Sequence, residues 1–476
     1  MQAGCHPPQV TFELGDILAR PISIAFIALF ITANLVLLGI VEPAARIANG
    51  ADGATWFGPA KALVEYGTFG SLVQPMVPSA DRGPVYPLTL AALMLVAGAN
   101  YPALLAVLQA TYLLVAALLT AAIAETYRKG SAPLTLGLML FNPNLLGAVQ
   151  LVQSEIVYLL VLTGILFLML QFAANLNRRY SIWIGVLAGV AALTRPEGTF
   201  LIVGVPLFLL LIAVIQRARV DRVLSWPRIG SLCISCTLAS CAVVAPWLLR
   251  NVQAGIGFRI NEAQNAAHYA WGAVEQVIIT QTGKTFWEVP KIVEAERNRQ
   301  LAEFKGTRPD ASEREIATRD FSNALTTLVT LPTIDHIKTI VKAKAEFILA
   351  GGAGIWIGLL RGTSNTPIAI MKATGANAYW SGWLDALSRY PIFELILTGI
   401  ALGYVLVLRA FAVVGLWRAW QSSRLLLLIL CAGIIFHTFI QPYYGPSRFR
   451  LPVEPAFVLL AVLALSTNRR LGKPIT

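Results

Sequence analysis

Lysine and arginine collect at alternate ends of the long apolar segments of this chain. Walking from Pro21, the basic short connections are Arg128-Lys129, Arg178-Arg179, Arg217 to Arg228, Arg418 to Arg424, and Arg469-Arg470 with Lys473. Only Asp221 opposes the positive charge within them. Loops on the cytoplasmic side of a membrane gather Lys and Arg, so these read as inner loops. The remaining connections then face outward, and they hold most of the other polar chemistry: Asp52, Asp81, Arg82, Glu155, Arg195, Glu197, the stretch 250–390, Arg448 and Arg450.

A helix needs about 20 apolar residues, roughly 17–25, to cross a bilayer. The runs 21–41, 102–124, 132–149, 154–174, 229–249, 391–417 and 424–441 meet that length, and 181–195, 197–215 and 451–466 do so less regularly. The runs 85–99 and 346–360 are too short to cross with ease. Counting either as a span would put Arg128-Lys129 or Arg418 on the wrong side, so both are expected to be interfacial or re-entrant helices on the outer face. The fold expected is an all-α polytopic membrane protein with about ten transmembrane helices and both termini inside. It divides into an N-terminal transmembrane module over 1–249 with a first outer loop at 42–101, an outer region over 250–390, and C-terminal transmembrane helices over 391–476. The run 21–41 is longer than a signal-peptide core and follows a tail without a basic start, so it reads as a retained helix.

Composition agrees. Of 476 residues, 56% are hydrophobic and 13% charged, whereas a soluble domain carries about 25% charged residues. The net charge of +12 sits largely in short inner loops, where topology and anionic lipid account for it. No continuous basic patch with interleaved aromatics points to nucleic acid. Cys233-x-x-Cys236 has redox spacing but lies inside an apolar run, where small residues pack between membrane helices, and no structural disulfide is expected. No His, Cys or carboxylate cluster has metal-ligand spacing, and neither a P-loop nor a dinucleotide fingerprint is present.

Within 250–390, Ser312 and Glu315 have the spacing of a capping box, followed by Ile316, Phe321, Leu325 and Leu328 near helical period. A second amphipathic pattern sets Ile334, Ile337, Val341 and Ile348 against Lys338, Lys342 and Lys344. That pattern suits a helix at the headgroup level and equally a helix packed within a small outer domain.

The first outer loop reads from Asp52-Gly53-Ala54-Thr55-Trp56 to Glu65-Tyr66-Gly67 and then Asp81-Arg82-Gly83-Pro84-Val85-Tyr86-Pro87. Further along stand Phe141-Asn142-Pro143, Gln153-Ser154-Glu155, Leu193-Thr194-Arg195-Pro196, Pro246-Trp247-Leu248-Leu249-Arg250-Asn251 and Arg448-Phe449-Arg450-Leu451-Pro452-Val453-Glu454-Pro455. In that order these pieces resemble the membrane glycosyltransferases with the C-type fold, in particular the group of protein O-mannosyltransferases and aminoarabinose transferases. Many of that group carry two adjacent acidic residues or two prolines where this chain has Asp52-Gly53 and Gly83-Pro84, which leaves subfamily and substrate open.

The resemblance implies transfer of a sugar from a polyprenyl-phosphate donor to an acceptor outside the cytoplasm, with inversion. The acceptor would be a glycolipid, a polysaccharide or a protein, and the setting a bacterial inner membrane with the active site facing the periplasm. An acceptor hydroxyl is a poor nucleophile and needs a carboxylate as general base. Asp52 matches the acidic position of the family, although an Asp also fits there as the cap of a helix over 54–66, and Asp81 is the competing carboxylate. The leaving lipid phosphate gains charge that guanidinium groups stabilise; Arg82, Arg448 and Arg450 are the candidates, against ordinary interfacial snorkelling. Tyr86 would line the donor pocket or join an aromatic belt. Glu155, Arg195 and Glu197 sit at helix mouths, where ionisable groups face a cavity or one another; sugar binding and a structural Glu155–Arg195 pair are both open. His268, beside Tyr269, is a further candidate sugar contact. Some relatives need a divalent ion, so metal dependence stays open. A polysaccharide polymerase or ligase and a lipid-sugar flippase are the competing readings. A transporter should show ionisable residues near helix midpoints, and the centres here are largely apolar.

Overall fold

Backbone N–H and C=O groups in hydrocarbon have only each other to bond, so apolar runs of this length must be helical. The computed structural model describes residues 14–48, 53–219, 225–261, 263–284, 288–361 and 391–465. Among them every element is a helix, apart from one isolated antiparallel bridge between Gly70 and Pro78. The N-terminal half contains α1 (Leu14–Leu18), α2 (Pro21–Ile40), α3 (Pro43–Ala48), α4 (Gly53–Tyr66), α5 (Val85–Ala97) and α6 (Tyr101–Tyr127). It continues with α7 (Ala132–Leu140), α8 (Pro143–Val149), α9 (Glu155–Asn175), α10 (Arg178–Thr194), α11 (Leu201–Arg219) and α12 (Trp226–Gln253). A more polar group follows: α13 (Ala263–Thr282), α14 (Val289–Thr307), α15 (Glu313–Thr330), α16 (Thr333–Leu349) and α17 (Ala353–Arg361). The chain closes with α18 (Ile392–Ser422), α19 (Arg424–Phe439) and α20 (Glu454–Ala464).

Six helical stretches among the described residues are long and apolar enough to cross a membrane, or up to eight if two bent helix pairs each count as one. The sequence-based expectation of about ten differs for definite reasons. The run 132–149 bends by 57° between α7 and α8, because Asn142 caps the new helix by accepting from the backbone N–H of Asn144 and Leu145, with Pro143 in its first turn. Helices α10, α19 and α20 have 17, 16 and 11 residues. The first is stopped by Arg195-Pro196, and the last is shortened by the 3-10 turn Ser447–Val453 that precedes it. The run 85–99, expected outside the spans, joins 102–124 in one apolar stretch, Val85–Tyr127, interrupted at Gly98, whose φ is 54°. The run 346–360 is the end of α16 plus α17, with a 69° bend between these two helices.

Helices α9 and α10 form a tight hairpin. Leu176 takes a left-handed conformation at φ 49°, and the Asn177 side chain then caps α10 by accepting from the Arg179 N–H. This puts Glu155 and Arg195 at one end of the bundle and Arg178 at the other, about 25 Å away along α10. Small residues let α10 and α12 approach closely: a Cβ on Gly185 would strike the Cys236 carbonyl, and one on Gly189 the Val243 side chain and Ser240 carbonyl. In the polar group, Trp271, Val274, Val289, Val293 and Ala324 form a small core of their own. The capping box is present: Ser312 Oγ accepts from the Glu315 N–H, and Glu315 accepts from the Ser312 N–H at 2.9 Å.

All eleven residues of α20 are buried, so its single carboxylate needs partners. Glu454 Oε1 receives Arg450 Nε at 2.5 Å and Arg409 Nη2 at 2.6 Å, while Asn142 donates to its Oε2 at 3.2 Å. Arg450 goes on to donate to the carbonyls of Phe347 (2.5 Å) and Ala350 (2.9 Å). The end of α16, α18, the 3-10 turn, α20 and the head of α8 therefore meet at one carboxylate. Glu454→Leu would leave two guanidinium groups buried without their carboxylate, and should cost about 3–5 kcal/mol of stability. Glu303→Ala, an exposed pair on α14, should cost less than about 1 kcal/mol. Thermal unfolding in detergent distinguishes the two.

Candidate active site

Ser154 and Glu155 open α9, and Arg195 stands where Pro196 ends α10 and starts a 3-10 turn that carries Glu197. The turn folds back this closely because residue 198 is Gly: a Cβ there would overlap the Ala191 carbonyl. The result is a guanidinium held between two carboxylates. Arg195 Nη1 lies 2.9 Å from Glu155 Oε1 and 3.4 Å from Ser154 Oγ, and its Nε and Nη2 each reach Glu197 at 3.3 Å. The rings of Tyr158 and Phe449 flank it, each 6.0 Å from the guanidinium carbon. Gln441, just beyond α19, donates to Glu197.

Arg195, Glu197, Gln441 and Phe449 line a small pocket with Tyr158, His437, Ile440, Arg448 and Pro452, while Glu155 and Ser154 hold the guanidinium from outside its lining. Arg448 lies 4.8 Å over the Phe449 ring. Two residues later Arg450 points the other way, into the Glu454 cluster, with Nε, Nη1 and Nη2 all engaged. A 3-10 turn thus separates two arginines that look equivalent in the sequence.

The second group of candidates sits against the first turn of α4. Arg82 is buried, donates from Nε to Thr55 Oγ1 at 3.2 Å and lies 5.1 Å over Trp56. Tyr86 is wholly buried among Trp56, Leu90 and Tyr101, edge-on to Trp56 at 5.5 Å, and so is not part of a lipid-facing belt. Asp81 is half-buried, and its backbone N–H donates to Ser79 Oγ at 3.1 Å. Asp52 lies outside the described residues, three positions before Thr55. Gly83 joins the two groups, since a Cβ on it would overlap the Leu193 carbonyl, two residues before Arg195.

His268 is exposed on α13, 6.2 Å from the Tyr269 ring. Tyr269 stacks edge-on with Tyr444, and Tyr444 with Phe449, each at 6.2 Å. Burial pushes the Tyr444 phenol up, reinforced by Glu275 and Tyr269, so it stays protonated and donates to the Tyr269 carbonyl at 3.2 Å. An aromatic ladder therefore links the Arg195 pocket to the polar helices. Among the described residues no three His, Cys, Asp or Glu side chains gather to hold a metal.

Sequence reasoning did not single out Tyr158, His437, Gln441 or Arg250. Gln441 and His437 carried a readable signal, as polar residues closing the apolar run 424–441. Arg250 lay inside a quoted motif without a role. It donates to the carbonyls of Ser79 (2.8 Å) and Phe69 (3.1 Å), against the rings of Phe69 and Trp247, and so braces the loop that leads to Asp81 and Arg82.

An apolar groove of about 230 Å³ runs between α9, α11 and α19, lined by Ile165, Met169, Val205, Phe208, Ile429 and Phe436 among others. It ends at His437 and Pro452, which also line the polar pocket. The apolar groove and the small pocket beside Arg195 and Arg448 thus share a junction.

Over residues 81–248 the chain is similar to the dolichyl-phosphate-mannose-protein mannosyltransferase family, whose sequence profile matches that stretch. No curated protein matches it in sequence. Among solved structures, the archaeal oligosaccharyltransferase AglB from Archaeoglobus fulgidus, in complex with an inhibitory peptide and a dolichol-phosphate, aligns at 13% identity and a TM-score of 0.48. That alignment covers 92% of this chain and 50% of AglB, so this chain spans about half of AglB's length. ArnT from Cupriavidus metallidurans in the apo state aligns at 14% identity and a TM-score of 0.38, over 93% of this chain and 78% of ArnT. The form bound to undecaprenyl phosphate aligns at the same identity and TM-score, over 92% and 77%. The likeness to C-type-fold glycosyltransferases read from the ordered motifs is thus matched by a family profile that spans those from Asp81 to Leu248.

The pocket generates its own stability test. Arg195→Met would strand two buried carboxylates and should lower stability by about 3–5 kcal/mol. Arg195→Lys keeps the charge but cannot span both carboxylates as a planar fork, so its unfolding temperature in detergent should fall between Met and wild type.

Proposed function

We propose that this protein is a membrane glycosyltransferase that takes a sugar from a polyprenyl-phosphate carrier and passes it, with inversion, to an extracytoplasmic acceptor. One observation carries the reading: the apolar groove and the guanidinium-lined pocket meet at His437 and Pro452. A ligand whose apolar chain lay in the groove would bring its anionic head to this junction, beside Arg448 and Arg195. The profile match over 81–248 supports a lipid-phosphate sugar as that ligand.

In this reading the chain lies in the groove and the phosphate meets Arg448, with Arg82 on the opposite approach. Asp52 takes the proton from the acceptor hydroxyl, whose oxygen attacks the anomeric carbon. The bond from that carbon to the phosphate oxygen breaks, and the electron pair leaves with the polyprenyl phosphate. Guanidinium groups stabilise the charge that accumulates there, most strongly where water is scarce. Arg82 donates to Thr55, which stands three positions after Asp52 in the sequence. Arg195 acts as a positioning residue, its fork shared between Glu155 and Glu197. The acceptor is a glycolipid, a polysaccharide or a protein, and the sugar is a hexose or pentose.

The sidedness follows from the charge pattern. Arg178 marks the end of α10 opposite Arg195, and Arg128 the end of α6 opposite Tyr101. If the basic end faces the cytoplasm, the pocket opens outward, to the periplasm in a bacterial inner membrane.

Two experiments test this. Asp52→Asn should reduce sugar transfer by purified protein about 10²–10⁴-fold, while binding of the polyprenyl-phosphate donor persists; loss of a helix cap alone would cost only about 1 kcal/mol of stability. Near-normal transfer in Asp52→Asn with an inactive Asp81→Asn would move the base to Asp81. Arg448→Ala should weaken donor binding by about 1.5–3 kcal/mol, whereas unchanged binding would remove Arg448 from the phosphate site.

A further inference from the structure

Helix α16 is built inside out for a water-soluble helix. Its inward positions are Asp335, Thr339, Ala343 and Phe347, while Ile334 (55%), Ile337 (52%), Val341 (63%) and Ile348 (36%) are exposed. Lys338 and Lys342 share that exposed face; the carboxylates beside them lie at its inner edge, buried Asp335 at 3.6 Å from Lys338 and half-buried Glu346 one turn after Lys342. A row of exposed isoleucines on one helix face marks an interaction surface with an apolar medium or partner. Charge argues against α16 itself as a span, although the bent pair α16 and α17 together is long and apolar enough for one: Asp335, Lys338, Lys342, Lys344 and Glu346 would enter hydrocarbon, where Lys or Asp costs about 2.5–3.5 kcal/mol at the centre. A two-fold contact between copies would set this lysine-bearing face against itself.

The same helix grips the loop that carries Gln441. Lys344 Nζ donates to the carbonyls of Gln441 (2.8 Å) and Tyr444 (3.2 Å). The His336 ring shares a hydrogen bond of 2.9 Å with the Tyr443 hydroxyl, and its other nitrogen meets the Leu328 carbonyl at 3.0 Å. Arg450 ties the far end of α16 through the Phe347 carbonyl. Lys344, on the flank of the isoleucine stripe, and His336, further round the helix, make these contacts with residues 441–444 and leave the isoleucines outside them.

We propose that α16 lies flat in the headgroup layer of the bilayer, with Lys338 and Lys342 on the phosphates of anionic phospholipids, and that this seating holds the Gln441–Tyr444 loop in place. Apolar residues sink to the acyl boundary and lysines snorkel to the phosphates. Each lysine adds about fivefold to the preference for an anionic surface. Anionic lipid thereby becomes a ligand that rigidifies the loop next to Glu197. The lipid contact stands apart from the proposed transferase activity; only its consequence for the pocket rests on that reading.

The test needs no substrate. Nitroxide labels are placed singly at Ile334→Cys, Val341→Cys and Ile348→Cys, in a background whose five native cysteines are alanine and whose unfolding temperature matches wild type. In phosphatidylcholine vesicles with and without phosphatidylglycerol, all three labels should sit at equal depth at the acyl boundary, accessible to oxygen and shielded from a water-soluble nickel complex. A graded depth, about 21 Å over these 14 residues, would make α16 a span and overturn the proposal. So would nickel access, or shielding from both quenchers by a second copy. In unlabelled wild-type protein, phosphatidylglycerol should slow amide exchange at 440–446 severalfold, and K338Q/K342Q should abolish that response while exchange in neutral lipid stays unchanged. Exchange in wild type that ignores phosphatidylglycerol would overturn the lipid coupling.

Discussion

A single guanidinium between two carboxylates holds this end of the bundle together. Arg195 draws Glu155 from the head of α9 and Glu197 from the 3-10 turn after α10, and Glu197 in turn receives Gln441 from the end of α19. Three chain segments that arrive from different directions are fixed by one residue. Buried charges cost desolvation that only close, hydrogen-bonded partners offset. This arrangement meets that condition with four contacts within 3.4 Å. The polar pocket owes its shape to it, because Tyr158 and Phe449 flank the same guanidinium.

A second charge cluster does comparable work one layer away. Glu454 gathers Arg409, Arg450 and Asn142, and Arg450 carries the connection to the backbone of α16. The two clusters meet along the 3-10 turn Ser447–Val453, whose Arg448 and Phe449 line the pocket while Arg450 faces the core. Pocket, groove and surface helix are therefore mechanically continuous: α16 grips the 441–444 loop, that loop reaches Glu197, and His437 stands where the apolar groove begins.

Much of the fold was readable as sequence because its causes are local or set by the solvent. The length of the apolar runs dictates helices in a bilayer, and the alternation of basic loops orders their ends. Ser312 with Glu315 spells a capping box that the structure contains. The span count was less legible. Asn142-Pro143 and Arg195-Pro196 break helices whose hydrophobicity alone reads as continuous, and α20 crosses the core with only 11 residues because it is enclosed on every side.

From the sequence came the material of the site: a carboxylate and an arginine in the first loop, acids and an arginine at helix mouths, and two arginines near the C-terminus. Spacing along a chain says nothing about which partner a charge will find, so only the tertiary structure decided their division of labour. Arg448 and Arg450 differ by two residues, yet one meets the pocket and the other a buried glutamate, because a turn of about three residues per revolution sends positions i and i+2 to different sides. Arg250, Gln441 and His437 acquire their places from contacts that join residues far apart in sequence. The apolar groove belongs to this class too. It exists only where the faces of α9, α11 and α19 fail to close, a property of packing that no single helix encodes.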